Sequence, residues 1–507
     1  MKKIYSIVLT LFLLGLWSCE KDFKEINTNP NASTIASSAF LFSNAQLNTL
    51  NTGQFETSLL NCGGFLQHFA TYKEVSGVGD KYLANDAYHA VFFQEAFPNS
   101  VNQINEVLRA TTSANDINKN AIARIWKVYI MHRITDLYGD IPYSEAGRGY
   151  PDLIFTPKYD AQAAIYANML SELEASTKAF DATKPSFGAA DLIYAGDVAK
   201  WKKLGYSLML RLSMRMTKVD NAQAKTWVQK AIAGGVILSS ADNAVIKYTD
   251  GPQNYNRNPF VYTARTRDFV ANSFGRTNIE GGKYSKTFID YLVKAADPRL
   301  NVISGVWINK IQDNSTAVQK GFQNGLSVAP SPDALGTFSE PLQTTIFKMD
   351  APAIVLGNAE IQLLLAEASV RGWNSASDEE LYKSAITASL NNYQIYGANA
   401  VIAPDKITAF LAGKSLTGTM DEKLEKIHTE FWVSLFGDEI EAFSNWRRTG
   451  FPKLTPINYP GNATSGTIPR RIIYPNVESA SNATNYQAAL VKQGPDLLTT
   501  RVWWDTK

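Results

Sequence analysis

Two carboxylates four residues apart, Asp136 and Asp140, are the pair best placed in the sequence for acid–base chemistry. Such a pair can protonate a leaving group and activate water, as glycoside hydrolysis requires. Their setting offers a plainer use. In Arg133-Ile134-Thr135-Asp136-Leu137-Tyr138-Gly139-Asp140-Ile141-Pro142-Tyr143, Gly139 suits the left-handed residue that ends a helix, and Pro142 forbids continuation. Around such a corner both acids would satisfy backbone amides or pair with Arg133. That structural use is the expectation here, and it predicts that Asp136→Asn lowers stability far more than ligand affinity. Arg447 and Arg448 could bind a carboxylate or phosphate. They also close an apolar stretch whose aromatics at 432, 436, 443 and 446 repeat as a core face would, so they are expected to offset a helix dipole. Glu367, in the apolar run Ala359–Ala368, is expected to pair with a packed arginine rather than to catalyse.

The remaining chemistry-bearing residues are sparse. His68, His89, His132 and His428 lie far apart, without a second ligand at metal-site spacing, so no metal is predicted. There is no nucleophile elbow, phosphate loop, zinc signature or kinase motif set. The chain is therefore read as non-catalytic and cofactor-free. A surface glycoside hydrolase, built on the Asp136/Asp140 pair, is the competing reading.

The N-terminus sets an address. Lys2 and Lys3 precede a mostly apolar run, Ile4 to Leu16, too short for a spanning helix but suited to secretion. Leu16-Trp17-Ser18-Cys19 looks like the lipobox of bacterial lipoproteins, in which a small residue precedes the acylated cysteine. Residues 1–18 are expected to be a lipoprotein signal peptide, with Cys19 the lipidated start of a single body, 19–507. More than one acyl chain makes such anchoring stable. Removal of 1–18 takes two lysines and no acid, so the formal charge falls from +2 to zero. A neutral body gives no reason to expect nucleic acid. Cys62 is then the one remaining thiol, and no intramolecular disulfide can form.

The elements that must position these residues are chiefly helical. Apolar residues recur at three- and four-residue spacing in 121–138, and similar patterns occupy about 161–180, 198–216, 222–233, 359–372, 378–396 and 421–445. Short links between them favour paired helices. Trp201, Leu204 and Gly205 match the start of a tetratricopeptide pattern, although Leu208 stands where Tyr is usual. The stretch 235–355 differs: it is rich in Gly, Asn, Pro and Ser, with a short helical piece at 284–295 and scattered aromatics that argue for order. Six prolines make 451–507 loop-rich as well.

Together these residues resemble the SusD/RagB family of outer-membrane nutrient-binding lipoproteins, in the branch whose body begins with an Asn-Thr-Asn-Pro-Asn stretch, as at Asn27–Asn31. The resemblance includes Cys19, the Asp136–Tyr143 corner, Leu365-Ala366-Glu367-Ala368, Asn445-Trp446-Arg447-Arg448-Thr449-Gly450 and the closing Thr499-Thr500-Arg501-Val502-Trp503-Trp504. It implies a mainly α fold: tetratricopeptide-like helix pairs in a right-handed superhelical scaffold, with a loop-rich ligand-binding face. It implies an outer-membrane site, facing the exterior, and a SusC-like TonB-dependent transporter as partner. The usual cargo it implies is an oligosaccharide, although the family also has peptide-binding members. The shared motifs belong to the scaffold, so they carry over no ligand residue. Sugar binding needs aromatic faces and amide, carboxylate or guanidinium groups beside them. On that chemistry the candidates are Tyr255, Asn256, Tyr262, Arg265 and Trp307, with Tyr72 and Tyr82 from the early Gly-containing segment.

Overall fold

Helices begin where side chains can satisfy their first amides. Asp197 accepts from the amides of Ala199 and Lys200 at the head of helix Val198–Arg215, and Asp220 accepts from Gln223 ahead of Asn221–Gly234. Ser377 caps Asp378–Asn392, and Thr419 with Glu422 forms a reciprocal capping box before Met420–Ser434. The computed structural model describes residues 37–71, 78–267, 282–328 and 330–506.

The expected helices are present as Ile117–Tyr138, Gln162–Ala179, Val198–Arg215, Asn221–Gly234, Asn358–Val370 and Asp378–Asn392. They pack as neighbours: 162–179 lies on 117–138 and on 198–215, 198–215 on 221–234, and 358–370 on 378–392. Ile117–Tyr138 is buried on nearly every side beyond its first turn, which places it at the centre of the scaffold. Gly205 shows why the helices approach so closely. A methyl group there would lie 2.5 Å from Thr177 Cγ2 and 3.1 Å from Ile125 Cδ1. Among the described residues, no helix is long and apolar enough to cross a membrane.

One helix differs from expectation. The stretch 421–445 is two helices, Met420–Ser434 and Glu439–Thr449. Gly437 adopts φ +101° between them, and Asp438 accepts from the Glu441 amide to start the second. Gly450 ends that second helix in the left-handed conformation, as the sequence suggests.

Among the described residues, the 235–355 region holds most of the short strands. Ala244–Ile246 pairs antiparallel with Ala353–Leu356. Ser304–Ile308 lies between Ile311–Asp313 and Glu340–Pro341 in a three-stranded sheet. Its hairpin turns on Asn309 and Lys310, both with positive φ, as a two-residue turn of matching twist requires. Strands of two to five residues leave too little alternation to read from sequence.

Buried arginine–carboxylate pairs join helices distant in the chain. Arg211 grips Glu360 with two hydrogen bonds, at 2.7 and 2.6 Å. Arg448 grips Glu367 at 2.8 and 2.7 Å. Arg299 bonds Glu430 at 2.6 Å and Asp297 at 2.9 Å, and Arg133 reaches Asp438 at 2.9 Å. The expected arginine partner of Glu367 is therefore Arg448.

Candidate ligand-binding site

The site is built on the short helix Pro259–Arg267. Asn258 fixes its start: its amide group donates to the Ala351 carbonyl at 2.7 Å, and its side-chain oxygen accepts from the Val261 amide at 3.1 Å. One turn along the helix, Arg265 donates to the Phe347 carbonyl at 3.3 Å and to Gln343 Oε1 at 3.0 Å. The Gln343 amide donates to Gln312 Oε1 at 2.7 Å. Gln312 stands directly across the hairpin from Trp307, so both side chains share a sheet face. The Trp307 indole donates to Glu340 at 3.1 Å, and Glu340 is itself paired with buried Lys283. This fixes the half-buried indole in one orientation.

The other end of the helix joins a single 3₁₀ turn, Asn254–Asn256. Asn254 donates to the Tyr262 hydroxyl at 2.7 Å and accepts from Arg257 at 3.0 Å. Tyr255, in the same turn, is 75% exposed, and Asn256 is exposed beside it. Burial pushes the Arg265 guanidinium pKa down from its ordinary value, and Asp250 opposes that effect. Arg265, Gln343 and Gln312 thus form one hydrogen-bonded chain that ends beside Trp307, while Tyr262 bonds separately to Asn254 on the turn that carries Tyr255 and Asn256. The chemistry of this layer is that of stacking faces edged by amides and one cation, which suits neutral hydroxylated ligands.

Asn254, Gln312 and Gln343 hold this layer together and escaped the sequence reading. Only the Asn309-Lys310 turn could have indicated that Gln312 faces Trp307. Two expected residues do not join it. Tyr82 is completely buried, packs against Phe65 and accepts a hydrogen bond from the Ile457 amide at 3.2 Å. It has no face for a ligand, because its ring serves the core. Tyr72 lies outside the described residues, as does Cys19.

The acid pair is also structural. Asp136 is buried; its carboxylate accepts from the Tyr166 hydroxyl and from the Trp504 indole at 3.0 Å, with His132 at 3.4 Å and Arg215 at 3.6 Å. Burial would raise its pKa, but His132, Arg215 and Tyr166 prevail and hold it at about 2. Asp140 accepts from the Gln162 amide at 2.8 Å, and burial raises its pKa. The expected pairing with Arg133 is replaced by that of Arg133 with Asp438, while Asp136 is taken by Tyr166, Trp504, His132 and Arg215. Both acids are enclosed by protein, so neither can flank a scissile bond. His132, Asp136 and Glu441 converge closely enough to hold a metal ion, yet the Arg215 guanidinium pairs with both carboxylates there and supplies the positive charge. Arg447 donates to the Asp136 carbonyl at 2.6 Å and the Arg470 carbonyl at 3.0 Å, and lies over the Phe443 and Trp504 rings. Both arginines are thus buried and bonded to groups of the protein interior.

Residues 30–475 match the SusD-like family described as starch-binding and associating with the outer membrane. The chain belongs to this family. Among solved structures, a chitin-binding protein is 31% identical, with a TM-score of 0.80, covering 93% of this chain and 100% of its own. A chitin-binding SusD homologue from Flavobacterium johnsoniae is 26% identical, with a TM-score of 0.73, covering 92% of this chain and 99% of its own. A SusD-like protein from Bacteroidetes shares the fold at 24% identity and a TM-score of 0.81, covering 93% of this chain and 100% of its own. Among curated proteins, none matches. The SusD-like fold accounts for the mainly helical, tetratricopeptide-like scaffold.

Proposed function

We propose that this protein is a non-catalytic, cell-surface glycan-binding lipoprotein that delivers oligosaccharide to a SusC-like TonB-dependent transporter. The observation that carries the reading is the outer group of Tyr262 and Arg265 on one helix, Trp307 beside the Arg265–Gln343–Gln312 chain, and exposed Tyr255. It sits apart from the scaffold motifs, whose polar residues are consumed in packing. The starch and chitin named for the family and its relatives supply the cargo class, a neutral oligosaccharide. An aromatic face held rigidly gives a large contact at little entropic cost, which a weakly hydrated sugar face needs. Lipidation at Cys19 would tether the body to the outer membrane, facing outward.

Calorimetric titration with maltohexaose and chitohexaose tests the site. Trp307→Ala and Tyr255→Ala should each weaken binding of the preferred sugar by at least about tenfold, with an unchanged melting curve. Unchanged affinity in both would remove the site assignment, and a collapsed melt would make the two rings structural anchors. The anchor has a separate test. Cys19→Ala should release the protein from the membrane fraction and abolish metabolic lipid labelling; persistence of both would refute the lipobox. Transport delivery predicts co-purification of the anchored protein with a TonB-dependent barrel.

A further inference from the structure

We infer that a cavity beneath the helix Pro259–Arg267 is a second, deeper subsite that takes one sugar ring. The inference rests on the glycan-binding reading, and its two unused polar groups are separate from the surface residues Tyr255, Tyr262, Arg265 and Trp307. The cavity holds about 170 Å³, and its walls include the rings of Tyr129, Tyr248, Phe260, Phe347, Tyr396 and Phe436. A cavity of roughly 150 Å³ accommodates benzene, and a pyranose has about twice as many non-hydrogen atoms, so this one admits the face of one ring with its outer hydroxyls at the opening, and not a chain.

Two polar groups on its wall are unused. The Tyr248 hydroxyl and Arg133 Nε are buried, and neither has a hydrogen-bond partner among the described residues. Burying a hydroxyl without a partner is destabilising, and phenylalanine would line the same wall without that cost. The Tyr248 oxygen therefore calls for a ligand explanation. The charge at the cavity is already compensated, because Arg133 also donates to Asp438 at 2.9 Å and 3.2 Å. A charged ligand would have to break that pair, whereas a neutral one leaves it intact. Aromatic walls with a hydroxyl and one spare guanidinium N–H match a ring that has C–H faces and hydroxyl edges.

The position ties the cavity to the surface above it. Phe260 lines the cavity from the same helix that carries Tyr262 and Arg265. Phe347 contributes its ring to the cavity wall while its carbonyl accepts from Arg265. A glycan lying on the Trp307 layer could thus place a terminal ring inward, so the protein would read a chain end as well as a chain face.

Titrations of the full chain with N-acetylglucosamine, glucose, chitohexaose and maltohexaose test this, using wild type, Tyr248→Phe and Trp307→Ala. Tyr248→Phe should weaken the preferred monosaccharide and its hexamer by the same factor, about five- to tenfold, with a melting temperature equal to or above wild type. Trp307→Ala should weaken the hexamer and leave the monosaccharide unchanged. If Tyr248→Phe raises the melting temperature and alters neither affinity, the cavity is a packing fault and the inference falls. Wild type that binds a hexamer but neither monosaccharide also overturns it while leaving the surface site standing. Wild type that binds none of the four sugars overturns both readings.

Discussion

Glu367→Leu is expected to cost the fold about 3–5 kcal/mol, the largest loss from any single substitution considered for this protein. The carboxylate is buried at the meeting point of Arg448, Arg371 and His428, at 2.7, 2.8 and 3.2 Å. Burial works against its charge, but these three neighbours hold its pKa well below the usual carboxylate range. Removal leaves the partners unequally placed. Arg371 is partly exposed and can turn to water, and buried His428 can stay neutral because burial lowers its pKa. Arg448 can do neither, since a guanidinium keeps its charge. The double variant Glu367→Leu/Arg448→Met should regain much of the loss, as apolar replacement of a whole buried pair often does. Urea unfolding measures both through the midpoint at constant slope. A single-variant loss below about 1 kcal/mol would mean that water reaches Arg448 after all.

Asp136→Asn is expected to lower stability by about 2–3 kcal/mol at neutral pH and to leave sugar affinity intact. The side chain keeps its shape but no longer offers a charged acceptor to Tyr166, Trp504 and Arg215. The pH dependence fixes the cause. The folded pKa of about 2 lies below the ordinary 3.8, so the carboxylate's contribution is complete above that ordinary value. It is lost as pH falls through the folded pKa. Wild type and variant should accordingly differ most at pH 7 and converge as the pH approaches 2, which urea midpoints across that range would show. Normal stability with abolished binding would return Asp136 to the functional site.

The scaffold was legible because its two signals agree. Apolar spacing marked each helix, and Asp197, Asp220, Ser377 and Thr419 marked the starts. The break at Gly437-Asp438 was also written in the chain, but an unbroken run of aromatics on either side concealed it. Partners were not legible. Arg133 meets Asp438 across 305 positions, and nothing local in either segment names the other. The same limit applies at the site. Tyr262, Arg265 and Trp307 could be chosen by residue type, whereas Gln343 and Gln312, which lead from Arg265 to the side of Trp307, are ordinary residues until the hairpin is folded. Tyr82 was misjudged for a related reason: a tyrosine in a Gly-containing segment reads alike whether its ring faces solvent or core.

The long-range arginine pairs also order the assembly of the molecule in time. Arg133, Arg211 and Arg215 are contributed by the first half of the chain, and their partners Asp438, Glu360 and Glu441 by the second. Arg211 meets Glu360 only after residue 360 is made, and Arg133 and Arg215 meet Asp438 and Glu441 later still, although Asp136 already stands beside Arg215. The early helices thus carry buried arginines whose full counter-charge arrives only with the last helices, and water holds a lone guanidinium better than a dry core could.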